Sequence, residues 1–280
     1  MEKQITIATS CYDRDWHIIL SEGYIKNLYE KFNYAFDKRV LILNTSDVYR
    51  EEVSAAAMRE VSLGNIDEFY FTSDIKKKVL NFFNIKDFLY VDKFKITKKD
   101  TPISIAKRFY HFYIKRKGNS KLLSLTQKQY DCINYSISPL CAIYTANTDY
   151  LLYFTEDCAM KPNSNSQWIT EGVSLMENNK HYIAARPIDI DLDSNWFKEY
   201  KTIDNFYITS MFTDRMFLVN ADIIKHIDFN CENKNNSYPV YGRNGFESRV
   251  FNFMTKNQSY MLISKNETYV HECDEYMKRL

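Results

Sequence analysis

Five consecutive residues, Tyr150-Leu151-Leu152-Tyr153-Phe154, offer no polar face, and the run then breaks into Thr155-Glu156-Asp157. A strand with one side in water alternates polar and apolar residues. One without a polar side must be covered on both faces, as in a sheet held between two layers of helix. In open α/β sheets of that kind, ligands collect at the carboxyl ends of the strands. Here that end carries two adjacent carboxylates. Carboxylate oxygens so placed suit hard divalent cations such as Mg²⁺ or Mn²⁺, which take few protein ligands and leave positions for phosphate oxygens. The alternative for Asp157 is a helix N-cap receiving the backbone N–H of Ala159 or Met160.

The chain has 280 residues, 45% of them hydrophobic, enough for one large domain with a substantial core. Its formal net charge of +1 gives no global electrostatic reason to bind nucleic acid, so no nucleic-acid partner is expected. Of the 6 cysteines, none forms a Cys-x-x-Cys pair or a Cys/His cluster with zinc spacing. Reduced, buried thiols and a cytoplasmic location are therefore expected. Met1-Glu2-Lys3-Gln4 leads straight into a strand with no sign of a signal peptide, and there is no apolar run of about 18 residues to span a membrane.

Along the chain, Ile5 to Tyr12 reads as a strand stopping in the polar loop Asp13-Arg14-Asp15. Ile18, Leu20, Tyr24, Ile25, Leu28, Phe32 and Phe36 recur at near-helical spacing, and a second strand runs from Arg39 to Asn44, completing a β-α-β unit. Thr45-Ser46-Asp47 opens a helix through Ala55, Met58 and Val61 that Gly64 closes. A strand at Glu68 to Phe71 follows, then a helix capped by Ser73 and Asp74, and a short strand at Leu89-Tyr90-Val91. Such alternation predicts a largely parallel sheet. Helices are expected at Gln127 to Tyr144 and at Gln167 to Asn178, on either side of the acidic strand, and a further strand at Tyr182 to Ala185. The segment Lys107 to Lys117 interleaves basic and aromatic residues. It reads either as a half-buried helix with solvated cations or as a peripheral contact with an anionic membrane.

The order of elements, the strand ending in Thr155-Glu156-Asp157 and two downstream segments together resemble the GT-A glycosyltransferase superfamily, family 2-like. The first of those segments, Thr209 to Ala221, holds Met216-Phe217-Leu218-Val219 and is similar to the family's acceptor-side strand. Beyond it, Tyr241-Gly242-Arg243-Asn244-Gly245-Phe246-Glu247 opens a helical pattern through Arg249, Phe251 and Met254. The family's acidic DxD motif follows a buried mid-chain strand. Aligned on that strand, its first Asp falls on Thr155 and its second on Asp157, so the motif is incomplete. The resemblance implies an α/β fold: one GT-A-like domain over 1–280 with a mostly parallel central sheet flanked by helices. Residues 1–160 would form its nucleotide-sugar-binding half and 161–280 a less regular acceptor-side half.

The resemblance also implies sites. Thr9, Cys11, Asp13, Arg14, Asn44, Glu156 and Asp157 would surround a nucleotide sugar. Asp157 would hold Mn²⁺ or Mg²⁺ with the late histidine His271, and Asp214 and Arg215 would position the acceptor. Glu247 matches the helix-start acid that serves inverting members as catalytic base. Its residue-level alternative is an ordinary first-turn acid favoured by the helix dipole. His17, His111, His181 and His226 show no metal spacing. Transfer of a sugar to a glycan or lipid-linked acceptor, in bacterial surface polysaccharide or lipopolysaccharide synthesis, is the implied activity. It would take place in the cytoplasm or at the inner face of the membrane. A non-catalytic nucleotide- or glycan-binding module is the alternative. A sugar nucleotidyltransferase would want a glycine-rich phosphate loop, which Thr9-Ser10-Cys11-Tyr12 does not supply.

Overall fold

In the acidic strand, β4 (Tyr150–Phe154), every residue is buried. It lies between β1 (Ile5–Tyr12), which runs parallel to it, and β9 (Met216–Asn220), which runs antiparallel. The computed structural model describes residues 3–85, 135–161, 164–189, 200–231 and 245–271. The strand expected at Leu89 to Val91, the Lys107 to Lys117 segment, residues 127–134 of the expected helix and the 241–244 turn lie outside them.

Among the described residues ten strands form one sheet, in the order β3-β2-β1-β4-β9-β6-β10-β8-β7. β2 (Lys38–Asn44), β3 (Glu68–Phe71) and β1 pair in parallel with each other and with β4. Beyond the reversed β9, β6 (Tyr182–Asp189) and β10 (Tyr260–Val270) resume the original direction. β8 (Phe206–Thr209) runs against β10, and β7 (Lys201–Ile203) runs against β8. The two-residue β5 (Ala159–Met160) pairs antiparallel with the end of β10. The result is a mixed α/β domain with a mostly parallel central sheet. Its C-terminal part belongs to the same sheet and is more regular than the sequence suggests.

The alternation of side chains along β4 builds the two cores. Tyr150, Leu152 and Phe154 pack on one face with residues of α1 (Trp16–Ile19), α2 (Tyr24–Glu30), α3 (Arg50–Ser62) and α6 (Gln167–Asn178). Leu151 and Tyr153 pack on the other with α4 (Thr72–Phe82), α5 (Ile137–Thr145), α7 (Ala221–Lys225) and α8 (Phe246–Asn257). Burying a side chain such as Phe154 stabilises the fold by about 1.5–3 kcal/mol relative to leaving it in water. The four described cysteines, Cys11, Cys141, Cys158 and Cys231, are reduced and buried. No described helix is long and apolar enough to cross a membrane.

Two local expectations need correcting. α4 starts at Thr72 with Phe71 as its N-cap and no side-chain cap, and Asp74 pairs with Arg50 instead. Asp157 caps no helix, because Ala159 and Met160 are drawn into β5 by the end of β10. Gly64 does end α3, at φ +69°, with its N–H on Val61 O at 2.9 Å.

Gly172, in α6, marks a close approach of helix to sheet: a Cβ there would sit 3.0 Å from Ala185 Cβ on β6. That neighbour is a buried methyl with no rotamer to give. Gly172→Val should therefore cost about 1–3 kcal/mol by overpacking, read as a lower urea midpoint at unchanged slope. An unchanged midpoint would show that the helix can move off the sheet.

Candidate active site

The carboxyl ends of β1 and β4, the segment before β9, the start of α8 and the end of β10 enclose a cavity of about 350 Å³. Its charged lining comes from Arg14, Glu156, Asp157, Asp214, Arg215, Glu247 and His271, so both halves of the chain contribute. Tyr12, Tyr135, Tyr153 and Phe246 supply its aromatic surface.

Asp157 and His271 meet because of β5. Ala159 pairs with Val270, so the same register carried one step further sets His271 opposite Cys158, next to Asp157. His271 Nε2 stands 3.2 Å from Asp157 Oδ2. The other oxygen, Oδ1, accepts the Thr155 hydroxyl at 2.8 Å. Burial raises the Asp157 carboxyl, but His271 and Thr155 outweigh it and hold the group below its ordinary value. Thr155, at the first position of the incomplete motif, thus orients the acid at the second.

Glu156 behaves in the opposite way. It turns into the protein, where Ser10 Oγ donates to its Oε2 at 3.0 Å and Tyr153 donates in turn to Ser10 at 3.1 Å. Burial first, then the charges of Asp157 and Asp15, push its carboxyl well above the ordinary range. Adjacent acids driven in opposite directions by their partners are the outcome.

Glu247 lies in the first turn of α8, whose entry is fixed by a hydrogen bond from the Phe246 N–H to Ser136 Oγ at 2.8 Å. A solvated first-turn acid would be stabilised as an anion by the helix dipole. Glu247 is instead 5% exposed, its Oε1 takes the Asp214 N–H at 2.9 Å, and its Oε2 has no hydrogen-bond partner among the described residues. Burial and the neighbouring Asp214 charge drive its carboxyl well above the ordinary value.

Arg215 is held from beneath. Asp189, wholly buried at the end of β6, accepts Arg215 Nη1 at 3.0 Å and the Tyr269 hydroxyl at 2.8 Å on the same oxygen. Burial raises Asp189, and Tyr269 with Arg215 and Arg186 more than reverses it. The Arg215 carbonyl also receives the Thr155 N–H at 2.8 Å, tying this segment to the end of β4.

The expected nucleotide set is only partly gathered. Arg14, Glu156 and Asp157 line the cavity, whereas Thr9, Cys11, Asp13 and Asn44 do not. Thr9 and Cys11 are fully buried in β1, where the sheet is covered on both faces, and the Thr9 hydroxyl is spent on Phe154 O. Asp13 accepts the Ser46 N–H, joining the loops after β1 and β2, and Asn44 accepts from Thr72 at 2.9 Å. Ser10, Tyr153, Asp189 and Tyr269 were not singled out by sequence. Only Tyr153, within the acidic strand, carried any signal.

Removing Asp189 should expose how much Arg215 depends on it. Asp189→Ala leaves a guanidinium beside a buried pocket and should destabilise the fold by about 3 kcal/mol, the low end for a broken buried pair because Arg215 keeps some solvent contact. Asp189→Asn, which can still accept from Tyr269, should cost less. Chemical denaturation of both variants checks the order. The Asp189 contribution is present above the ordinary Asp range and is lost as pH falls through its lowered native value, so the cost should shrink in acid.

No protein-family model and no curated protein matches the sequence. Solved structures do align with nearly the whole chain. GalNAc-T7 with UDP, GalNAc and Mn²⁺ is 10% identical at TM-score 0.42, covering 96% of this chain and 43% of its own. The mannosyltransferase PcManGT from Pyrobaculum calidifontis, with GDP-Man and Mn²⁺, is 7% identical at TM-score 0.47, covering 97% and 57%. A mycobacterial protein is 8% identical at TM-score 0.41, covering 96% and 67%. This chain therefore spans about half the length of the first two, and at such scores the fold rests on its own strand order and the site on its own geometry.

Proposed function

We propose that this chain is a glycosyltransferase that moves a sugar from a nucleotide-diphosphate donor to a hydroxyl acceptor. The observation that carries the reading is one cavity lined both by an oriented Asp157–His271 pair and by the buried acid Glu247. Transfer has two demands: charge compensation on the leaving diphosphate and a base for the acceptor hydroxyl.

The donor set fits a divalent ion. No cluster of three or more His, Cys, Asp or Glu side chains is placed for a metal among the described residues. One carboxylate and one imidazole within 3.2 Å of each other suit Mn²⁺ or Mg²⁺, which leave their remaining positions to phosphate and water oxygens. Such an ion would act as a Lewis acid toward the diphosphate. Thr155 holds Asp157 in place for this role, and the Asp189-anchored Arg215 supplies a fixed positive charge to the same cavity. Arg14, at the end of β1, is the part of its loop left to meet phosphate or ribose. Glu247 takes the proton of the acceptor hydroxyl, its basicity raised by burial.

A glycan or lipid-linked acceptor, and a place in bacterial surface polysaccharide or lipopolysaccharide synthesis, follow from the family resemblance. So does action in the cytoplasm or at the inner membrane face. Thr155 at the first position of the motif favours a second reading, a nucleotide- or glycan-binding module without turnover.

Thermal stabilisation by UDP-, GDP-, CMP- and dTDP-sugars, with and without Mn²⁺, tests the donor site. One nucleotide at about 100 times its Kd should add about 2.7 kcal/mol, a rise of several degrees for a chain of this size. The rise should require Mn²⁺ and be lost in Asp157→Asn. If no nucleotide stabilises the protein, the transferase reading fails. With the donor found, Glu247→Gln should lower kcat by about 10²–10⁴-fold with little change in donor binding. Retained turnover would remove Glu247 as base. Binding without turnover in the wild type would favour the second reading.

A further inference from the structure

The Asp214–Glu247 contact is tighter than a base and an acceptor-binding residue require. The Asp214 backbone N–H holds Glu247 Oε1 at 2.9 Å, and the two side chains are hydrogen-bonding neighbours on the wall of one cavity. Glu247 is 5% exposed, and its Oε2 finds no donor among the described residues. A buried oxygen left without a donor costs about 1–3 kcal/mol. A proton lying between the two carboxyls removes that cost.

We propose that Asp214 and Glu247 form one acid–base unit that holds a single proton between them. Two neighbouring carboxylates, one buried and the other half-buried, resist ionising together, and one proton converts their repulsion into a hydrogen bond. The other charged groups facing the cavity do not undo this. Arg215 favours the Asp214 anion, Asp157 opposes it, and both effects on Asp214 are smaller than that of its burial. Arg14, Glu156 and His271 line the same cavity, as do the phenols of Tyr12, Tyr135 and Tyr153, but the large effects on Glu247 are burial and Asp214.

The consequence for catalysis rests on the transferase reading. As the acceptor oxygen bonds to the anomeric carbon, the bond from that carbon to the diphosphate oxygen breaks and its electron pair leaves with the nucleotide. The hydroxyl proton passes to the unit, which goes from one proton to two and then returns one to water. Asp214 is thus a positioning residue for Glu247: its N–H fixes one oxygen, and its carboxyl sets when the pair accepts a proton.

The test is a carbon-13 NMR titration of the full chain labelled at the Asp and Glu side-chain carboxyls, assigned through the backbone. In the wild type both resonances should show the same two inflections, the mark of a shared proton. In Asp214→Asn, Glu247 should titrate in a single step shifted down by about one pH unit or more. Two independent single-step curves in the wild type, or a Glu247 curve unmoved by Asp214→Asn, would overturn the proposal. If that variant does not fold, the wild-type curves alone decide.

A second readout separates this proposal from the transferase reading: UDP or GDP release from UDP-glucose and GDP-mannose across pH. Asp214→Asn should move the acidic limb of kcat up, because the singly protonated pair takes its second proton less readily than Glu247 alone takes its first, with KM nearly unchanged. An unmoved limb in an active enzyme would remove Asp214 from the base. If the wild type releases neither nucleotide and binds none, the transferase reading fails while the shared proton stands or falls on the titration.

Discussion

The burial of β4 on both faces is the constraint from which the remainder follows. A strand with no face for water has to lie at the middle of a sheet and carry helices on each side. Its two neighbours are of opposite sense, β1 parallel and β9 antiparallel. The parallel neighbour brings its own carboxyl end, with Tyr12 and Arg14, to the cavity. The antiparallel neighbour begins where β4 ends, and the Thr155 N–H closes on the Arg215 carbonyl. One strand reversal therefore places Asp214 and Arg215 beside an acid that precedes them by more than fifty residues.

Around the cavity, similar acids are driven to different states by their surroundings. Asp157 has an imidazole and a hydroxyl as partners, and they hold its carboxyl below the ordinary value. Glu156, next to it in the chain, turns toward Ser10, and burial pushes its carboxyl up. Asp189 is more deeply buried than either, yet it is an anion because Arg215 and Tyr269 both donate to it. Glu247 has no donor on its orphaned oxygen among the described residues, and the charge of Asp214 adds to the effect of burial. Burial by itself raises all of these groups, and the partners decide which of them give way.

Much of the scaffold could be read along the chain. The boundaries of β1, β3, β4 and α6 are where the hydrophobic pattern puts them, because strand and helix periods are local properties of sequence. The pattern was less informative about polar residues at element ends. Ser73 and Asp74 look like caps, but α4 starts earlier and Asp74 is taken by Arg50. Thr9 and Cys11 look like loop-side ligands of a nucleotide, but β1 is covered on both faces and neither reaches the cavity.

The sequence by itself determined that a doubly covered strand would deliver Asp157 to a sheet end and that Glu247 would open a helix, since burial pattern and helix start are written in neighbouring residues. Only the tertiary structure decided what these acids meet. His271 reaches Asp157 through the short pairing of β5 with β10, and Arg215 and Tyr269 converge on Asp189 across a fold that the chain order does not display. Asp214 meets Glu247 across 33 residues of sequence separation. Charge state depends on distance and on the removal of water, and both are set by elements remote in the chain.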